Sequence, residues 1–390
     1  MCYQTGQLQK LPTLVANLKA LDYPADGLNV LLLIEADDAA TAAALAALNL
    51  PAHMTIVTVP PGLPRTKPRA LVHGLALTTG DYVVVYDAED RPEPDQLRLA
   101  VAAFAAGGER LGCLQARLNI DNRDDGLIAR QFTIEYTALF DAIVPALAAA
   151  GAPVPLGGTS NHFRRAALDD TGGWDPWNVT EDADLGFRLA RMGWRVEALN
   201  STTWEEAPVG LSAWLAQRTR WQKGWMQTWL VHMRTPSALW RELGPWRFVW
   251  LQLVLGGGLL AALAHPWLYV GLVWRATATD RVAPSTSAHA LADAATPPAM
   301  AGGMSVAEIV TVIAVLTLVV SVISSVVLAR LTLQRRGFTA LRSHALLMPV
   351  TWLFISVAAY RALFELWRRP FHWAKTRHGL TSRREPDRRS

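Results

Sequence analysis

Cysteine is almost absent from this 390-residue chain: Cys2 and Cys113 are the only two. That excludes a disulfide framework and a cysteine-built zinc site, and leaves plain cytosolic thiols as the expectation. Charge is sparse too, at 18% of residues with a net of +4. No Lys/Arg stripe accompanies a nucleic-acid module, so nucleic acid is not an expected partner. Residues 1–20 are polar and helical in pattern, so no signal peptide is expected there. No internal repeat is visible, which excludes solenoid and propeller folds.

What the chain does have is two regimes of hydropathy. Up to about Arg234 it reads as a soluble α/β protein with scattered charge, and from Pro245 onward apolar runs dominate. Three such runs, Phe248–Val273, Ile309–Ala329 and Leu346–Leu366, reach the ~20 residues a bilayer span needs. Residues 276–304, rich in Ala, Thr, Pro and Ser, read as a linker loop. Arg330, Arg335, Arg336 and Arg342 separate the last two runs, and Arg368, Arg369, Lys375 and Arg377 follow the third. This placement points to membrane topology, with the basic segments on the cytosolic side. Three complete spans would put the basic tail outside, against that rule. Either the third run, with Arg361 and Glu365 inside it, is interfacial or re-entrant, or the first is a bent pair of half-spans around Pro266. The former is the preferred reading.

The first third alternates strand and helix. Leu28–Ile34, Met54–Val59 and Tyr82–Tyr86 read as strands; Leu8–Leu21, Ala39–Leu48, Arg69–Leu77 and Pro94–Ala106 read as helices. Such alternation predicts a mostly parallel sheet covered by helices, with ligands beyond the carboxyl ends of the strands. Asp37, Asp38, Asp87 and Glu89 fall there. Gln131–Ala149 reads as an apolar helix in the domain core or on a membrane surface.

Several groups carry potential chemistry, each beside a plainer reading. Asp87-Ala88-Glu89-Asp90 can hold a hard cation through oxygen ligands, or simply cap the next helix. Glu35 to Asp38 can accept hydrogen bonds from a base or ribose, while Asp38 is also well placed as a helix N-cap. Lys67 and Arg69 can approach phosphates or sit in a solvated loop. Gly157-Gly158-Thr159-Ser160-Asn161 is a small-residue turn that lets backbone approach a ligand. In Thr180-Glu181-Asp182, Thr180 is placed to cap a helix, and Asp182 can take a proton from an attacking hydroxyl. Gln217, Arg220 and Trp221 lie at helical spacing. Arg220 can meet a diphosphate and Trp221 can stack on a sugar; an interfacial helix would use the same residue types.

Together, the order and spacing of these motifs resemble the processive family 2 glycosyltransferases: cellulose, hyaluronan and chitin synthases and related bacterial β-glycan synthases. The resemblance covers nearly the whole chain, including the closing Arg369-Pro370-Phe371-His372-Trp373-Ala374-Lys375-Thr376-Arg377-His378-Gly379. It implies an α/β GT-A fold, a Rossmann-like mixed sheet, followed by an α-helical transmembrane region. The implied divisions are a cytosolic catalytic domain at 1–210, interfacial helices at 211–245, a transmembrane region at 246–368 and a basic cytosolic tail at 369–390. By resemblance, Asp182 is the catalytic base, and Asp37, Asp38, Lys67 and Asp87 contact the nucleotide. Asp87 and Glu89, with Asp90 as a substitute, hold Mg²⁺ or Mn²⁺. Gln217, Arg220, Trp221, Gly158 and Ser160 bind the diphosphate and the acceptor. The implied partners are a nucleotide-sugar donor, above all a UDP-sugar, a growing glycan, the lipid bilayer of a bacterial inner membrane and polysaccharide-export proteins.

The chain also departs from that pattern. The family strand ahead of the Leu8 helix is missing except for a remnant at Met1-Cys2-Tyr3, and the family's preceding membrane segments are absent. Val72, not Asn, follows Ala70-Leu71, and no cyclic-di-GMP module is present. Two alternatives therefore stay open: a non-processive transferase to a lipid carrier, and a truncated inactive subunit of a polysaccharide synthase.

Overall fold

The computed structural model describes residues 2–3, 8–279 and 305–369. Most of the expected linker, at 280–304, and the tail from 370 onward lie outside the described residues. In chain order the elements are β1 (Cys2–Tyr3), α1 (Leu11–Lys19), β2 (Val30–Glu35), α2 (Ala39–Ala46), β3 (Met54–Val59), α3 (Lys67–Leu75), β4 (Tyr82–Val85), β5 (Arg91–Pro92) and α4 (Gln96–Gly107). Then come β6 (Leu111–Ile120), α5 (Leu127–Ala138), α6 (Val144–Ala149), β7 (Asn161–Arg164), α7 (Arg165–Thr171), α8 (Glu181–Arg191) and β8 (Arg195–Glu205). The helical region holds α9 (Leu211–His232), α10 (Pro236–Leu251), α11 (Gly258–Thr279), α12 (Val306–Arg335) and α13 (Met348–Arg368).

Two sheets carry the first region. One is parallel, in the order β1-β2-β3; the other is mixed, in the order β4-β7-β6-β8-β5. Every residue of β2 is buried, because it runs through the middle of its sheet between two apolar layers. One core joins both sheets through Leu31, Leu33, Val57 and Val59 on one side and Val83, Val85 and Phe163 on the other. β6 and β8, the two longest strands, pair in parallel in the second sheet. Neither strand stands out in the hydropathy pattern, because Gln115, Asn119 and Thr203 interrupt it while being fully buried.

Local chemistry explains the element ends. Asp38 caps α2, its carboxylate accepting from Thr41 N (3.1 Å) and Thr41 Oγ1 (2.8 Å). Ser305 and Glu308 form a capping box on α12. Within α10 the helix kinks at Gly244, at φ 70°, directly before Pro245. Proline disfavours helical geometry in the residue ahead of it, and glycine takes the positive φ without strain.

In the helical region the structure bears on two points the sequence left open. Gln131–Ala149 belongs to the domain core: Phe132, Tyr136, Phe140, Val144 and Leu147 are buried under the sheet, with a π-helical turn at Leu139–Ile143. The half-spans around Pro266 are not formed, since α11 runs through that proline without a break. Four helical stretches among the described residues are long and apolar enough to cross a membrane. The one at Leu127–Ala149 is the half-buried core helix just described.

Candidate active site

The candidate site is assembled from the ends of β2 and β4, the 157–160 turn, the start of α8 and the middle of α9. Lys67, in the first turn of α3, is its hub. Its Nζ donates to the Asp87 carboxylate and, at 2.7 Å, to the Gly158 carbonyl. Gly158 in turn lies against Asp182: a Cβ at that position would sit 3.1 Å from Asp182 Oδ2. The second Asp182 oxygen accepts the backbone N–H of Ala183 at 2.8 Å, which fixes the carboxylate at the start of α8.

Helix α9 closes the other side. Arg220 donates to the Val179 carbonyl at 3.3 Å. One turn later the helix touches the 178–182 segment so closely that a Cβ at Gly224 would overlap the Thr180 hydroxyl. Asn178 Nδ2 donates to Thr228 Oγ1 at 2.9 Å, a further turn along. Thr180 does not use its side chain to cap α8, as the sequence suggested; that hydroxyl faces Asn178 and α9 instead.

Around the helix from Arg220, Trp221 stacks on Tyr136 with ring centres 6.5 Å apart and lies 6.1 Å from Phe132. Arg218 locks this arrangement: its guanidinium makes a two-pronged pair with Glu135 (2.5 and 2.7 Å). It also stands over the rings of Phe132, Trp214 and Trp221 at 4.8, 5.2 and 4.5 Å. Sequence reasoning passed over Arg218, because its partner lies 83 residues away. Gln217 is buried, and its Oε1 has no hydrogen-bond partner.

Not every candidate faces the cleft. Asp37 is exposed and pairs with Arg65, while Glu35 is buried and held by Arg69 at 2.5 Å. Ser160 is a corner, not a lining residue. At φ 56° it is fully buried, its N–H donating to the Val85 carbonyl at 2.7 Å and its hydroxyl to Thr203 Oγ1 at 2.6 Å. Asp90, the alternative second metal ligand, is also turned inward: Oδ2 accepts the Asp87 N–H at 2.6 Å and the Thr159 hydroxyl. It therefore shapes the turn that presents Asp87.

The electrostatics are those of an acidic cleft with embedded cations. Burial works against charge on Lys67, but the carboxylates of Asp87, Glu181 and Asp90 outweigh it and hold the amine protonated. Burial raises the Asp182 pKa, against the Ala183 N–H and the charges of Lys67 and Arg220. Glu181 is pushed up by burial and then by Asp182. Glu205, at the end of β8, was not singled out from sequence. Burial, then Asp90, Asp87 and Glu89, keep its carboxyl well above the usual range. Asp87 and Glu89 offer hard oxygen donors in this acidic surrounding, which suits a divalent cation. Among the described residues no three His, Cys, Asp or Glu side chains gather as a ligand set. An ion here would complete its shell from a bound diphosphate and water, as Mg²⁺ sites commonly do.

Comparison with known proteins identifies the family. A family described as "Glycosyltransferase like family 2" matches residues 1–224. A Bacillus subtilis (strain 168) protein named "Probable glycosyltransferase YdaM" is 31% identical over 180 residues, covering 43% of this chain and 40% of that protein. An Arabidopsis thaliana protein named "Probable glucomannan 4-beta-mannosyltransferase 10" is 32% identical over 145 residues, covering 37% of this chain and 26% of that protein. The matched regions thus span less than half of either relative. The solved mannosyltransferase PcManGT from Pyrobaculum calidifontis, in complex with GDP-Man and Mn²⁺, superposes with a TM-score of 0.57 at 19% identity. The alignment covers 94% of this chain and 86% of that one. The fold is GT-A-like, and a family match over more than half of its length places this chain in glycosyltransferase family 2.

Proposed function

We propose that the chain is an inverting hexosyltransferase that moves a sugar from a nucleoside diphosphate sugar to a growing glycan at a membrane face. The catalytic domain is cytosolic, at a bacterial inner membrane, and the polymer leaves across the bilayer toward export proteins. One observation carries the reading: Lys67 ties Asp87 to the Gly158 turn, and that turn abuts Asp182, beside Arg220.

Asp182 accepts the proton of the acceptor hydroxyl. That oxygen forms the new bond to the anomeric carbon from the face opposite the diphosphate, and the bond from that carbon to the phosphate oxygen breaks, so the configuration inverts. Burial raises the Asp182 pKa and makes it a stronger base than a solvated aspartate, while the charges of Lys67 and Arg220 oppose that shift and favour the carboxylate. Arg220, a guanidinium that stays charged even when buried, meets the charge growing on the departing diphosphate. Trp221, braced by Tyr136 and Arg218, offers its ring to the terminal sugar of the acceptor, and Gln217 has an unused amide oxygen beside it. Asp38, the α2 cap, and Asp37, exposed and paired with Arg65, would meet the nucleotide from the end of β2. Asp87 and Glu89 would hold Mg²⁺ or Mn²⁺, which when bound neutralises charge on the diphosphate. Mn²⁺ in the mannosyltransferase of like fold supports this choice.

The resemblance to β-glycan synthases favours a UDP-sugar donor, while the like-folded mannosyltransferase holds GDP-Man, so both donors belong in the test. Membranes carrying this chain are given UDP- and GDP-sugars with Mn²⁺ or Mg²⁺, beside an Asp182→Asn control. Metal-dependent sugar incorporation, lost in the control, is the expected result. Equal incorporation by a well-folded Asp182→Asn chain would remove Asp182 as the base.

A further inference from the structure

Helix α13 has the length and composition of a membrane span, yet the structure ties the segment around it to the catalytic domain at both ends. Just before it, Arg336 makes a two-pronged pair with Asp141 (2.5 and 2.6 Å) and donates to Thr202 Oγ1 at 3.0 Å. Gln131 of α5 donates to the His344 carbonyl at 2.8 Å, and Leu341 and Ala345 are buried against Ile134. Near its far end Glu365 accepts from Lys223 of α9 at 3.5 Å, and Ala359 and Ala362 are buried against Met226 of the same helix.

Helix α9 is itself fastened to the catalytic domain, by Arg218 on Glu135, by Gly224 on Thr180 and by Thr228 on Asn178. At ~1.5 Å per residue α13 is about 31 Å long, close to the thickness of a bilayer core. A helix standing across the bilayer would carry its far end that distance away from the domain. Here the far end is beside Lys223, one turn from Arg220. The helix therefore lies along the domain.

Its two sides differ in kind. The side toward the protein is built from small residues, Ser356, Ala358, Ala359 and Ala362, which let the helix lie close. The outer side exposes Val350, Val357, Leu363, Phe364 and Trp367. At its end Arg361, Arg368 and Arg369, with Phe364 and Glu365, line one side of an open hollow of about 350 Å³. An apolar face with arginines along its edge suits the boundary between acyl chains and headgroups.

We propose that α13 is an interfacial helix on the catalytic side of the membrane, with its outer apolar face in the acyl boundary. Arg361, Arg368 and Arg369 bind the headgroup phosphates of anionic phospholipid. The middle of helix α9 is then braced against the bilayer surface through Lys223 and Glu365. This goes beyond the transferase reading and does not depend on it.

The test uses the full chain in sealed vesicles, with Cys2→Ser as background. Arg369→Cys and, as a marker of the catalytic domain, Trp177→Cys are labelled with a membrane-impermeant maleimide before and after permeabilisation. Labelling of both from the same side is expected; labelling from opposite sides overturns the proposal. A second measurement survives any loss of activity. Phosphatidylglycerol retained by purified chain is compared with that retained by Arg361→Gln/Arg368→Gln, from vesicles of phosphatidylcholine and phosphatidylglycerol. At least a twofold drop is expected in the variant, and equal retention of the anionic lipid overturns the assignment of the arginines.

Discussion

Replacing Arg218 tests the link between core packing and acceptor binding. Its side chain is 6% exposed, pinned by Glu135 and covered by three aromatic rings. A two-pronged charge-assisted pair contributes roughly 1.5–3 kcal/mol when dry. Glu135 is 38% exposed, so solvent screening reduces that to about 1–2 kcal/mol. The ring contacts add about 1 kcal/mol together, because they share one cation. Arg218→Met, similar in length but uncharged, should therefore lose about 2–3 kcal/mol of stability, read as a fall in thermal unfolding temperature. Trp221 loses the cation that holds its ring, and stacking worth about 1 kcal/mol becomes imprecise. The acceptor KM should then rise about fivefold to tenfold, with donor KM little changed. Arg218→Lys keeps the charge without the fork and should fall between. A double-mutant cycle with Glu135→Gln isolates the pair from the ring contacts. Wild-type stability and acceptor KM in Arg218→Met would refute the claim that this buried arginine positions Trp221.

Asp182→Asn should lower turnover by roughly 10²–10⁴-fold without loss of folding, checked by sugar incorporation beside circular dichroism. Chelation should abolish incorporation, Mn²⁺ or Mg²⁺ should restore it in wild type, and Asp87→Asn should stay inactive at metal levels that saturate wild type. In Gly224→Ala the new Cβ overlaps the Thr180 hydroxyl and lies 2.8 Å from Thr180 Cβ. A destabilisation of about 1–3 kcal/mol is expected, partly recovered by Thr180→Ala in the same chain and read from unfolding temperatures. Buried His162 is held down to about 4 by burial, against the pull of the Leu114 and Ser160 carbonyls. Between pH 6.5 and 4 the unfolded chain binds the proton and the folded chain does not, so stability falls as pH falls across that window. The loss is roughly 3 kcal/mol, and His162→Leu should flatten that limb of the stability curve.

How much of this was legible depended on whether the signal was local. β3 and β4 could be read because short β-branched runs have few other uses. Asp87 and Asp182 could be picked out because one follows a buried strand and the other opens a helix. β6 could not be read, since buried polar side chains broke its pattern. Gln115, for example, accepts the Gly157 N–H at 2.7 Å and donates to the Thr159 carbonyl at 3.1 Å. Those bonds hold the Gly158 turn in place, so the residue that hid the strand is one that builds the site. Long-range pairs were equally silent: nothing near Lys67 announces Gly158, and nothing near Arg218 announces Glu135. The Asp38 cap shows the converse, a plain local role that was legible beside the functional one and is realised in the structure.

The same reasoning explains why α9 reads ambiguously as a sequence. Its residues divide by direction, not along the chain. Arg220, Gly224 and Thr228 follow one stripe that meets the 178–180 segment, which leads into Asp182. Arg218 and Trp221 meet α5, and Lys223 and Met226 meet α13. With partners on three sides, the helix has no polar face and no apolar face in the usual sense, so neither a membrane span nor an amphipathic surface helix describes it. Lys223 and Arg220 lie one turn apart on this helix, so the basic and aromatic residues of Gln-x-x-Arg-Trp sit where α13, α5 and the segment leading into Asp182 converge.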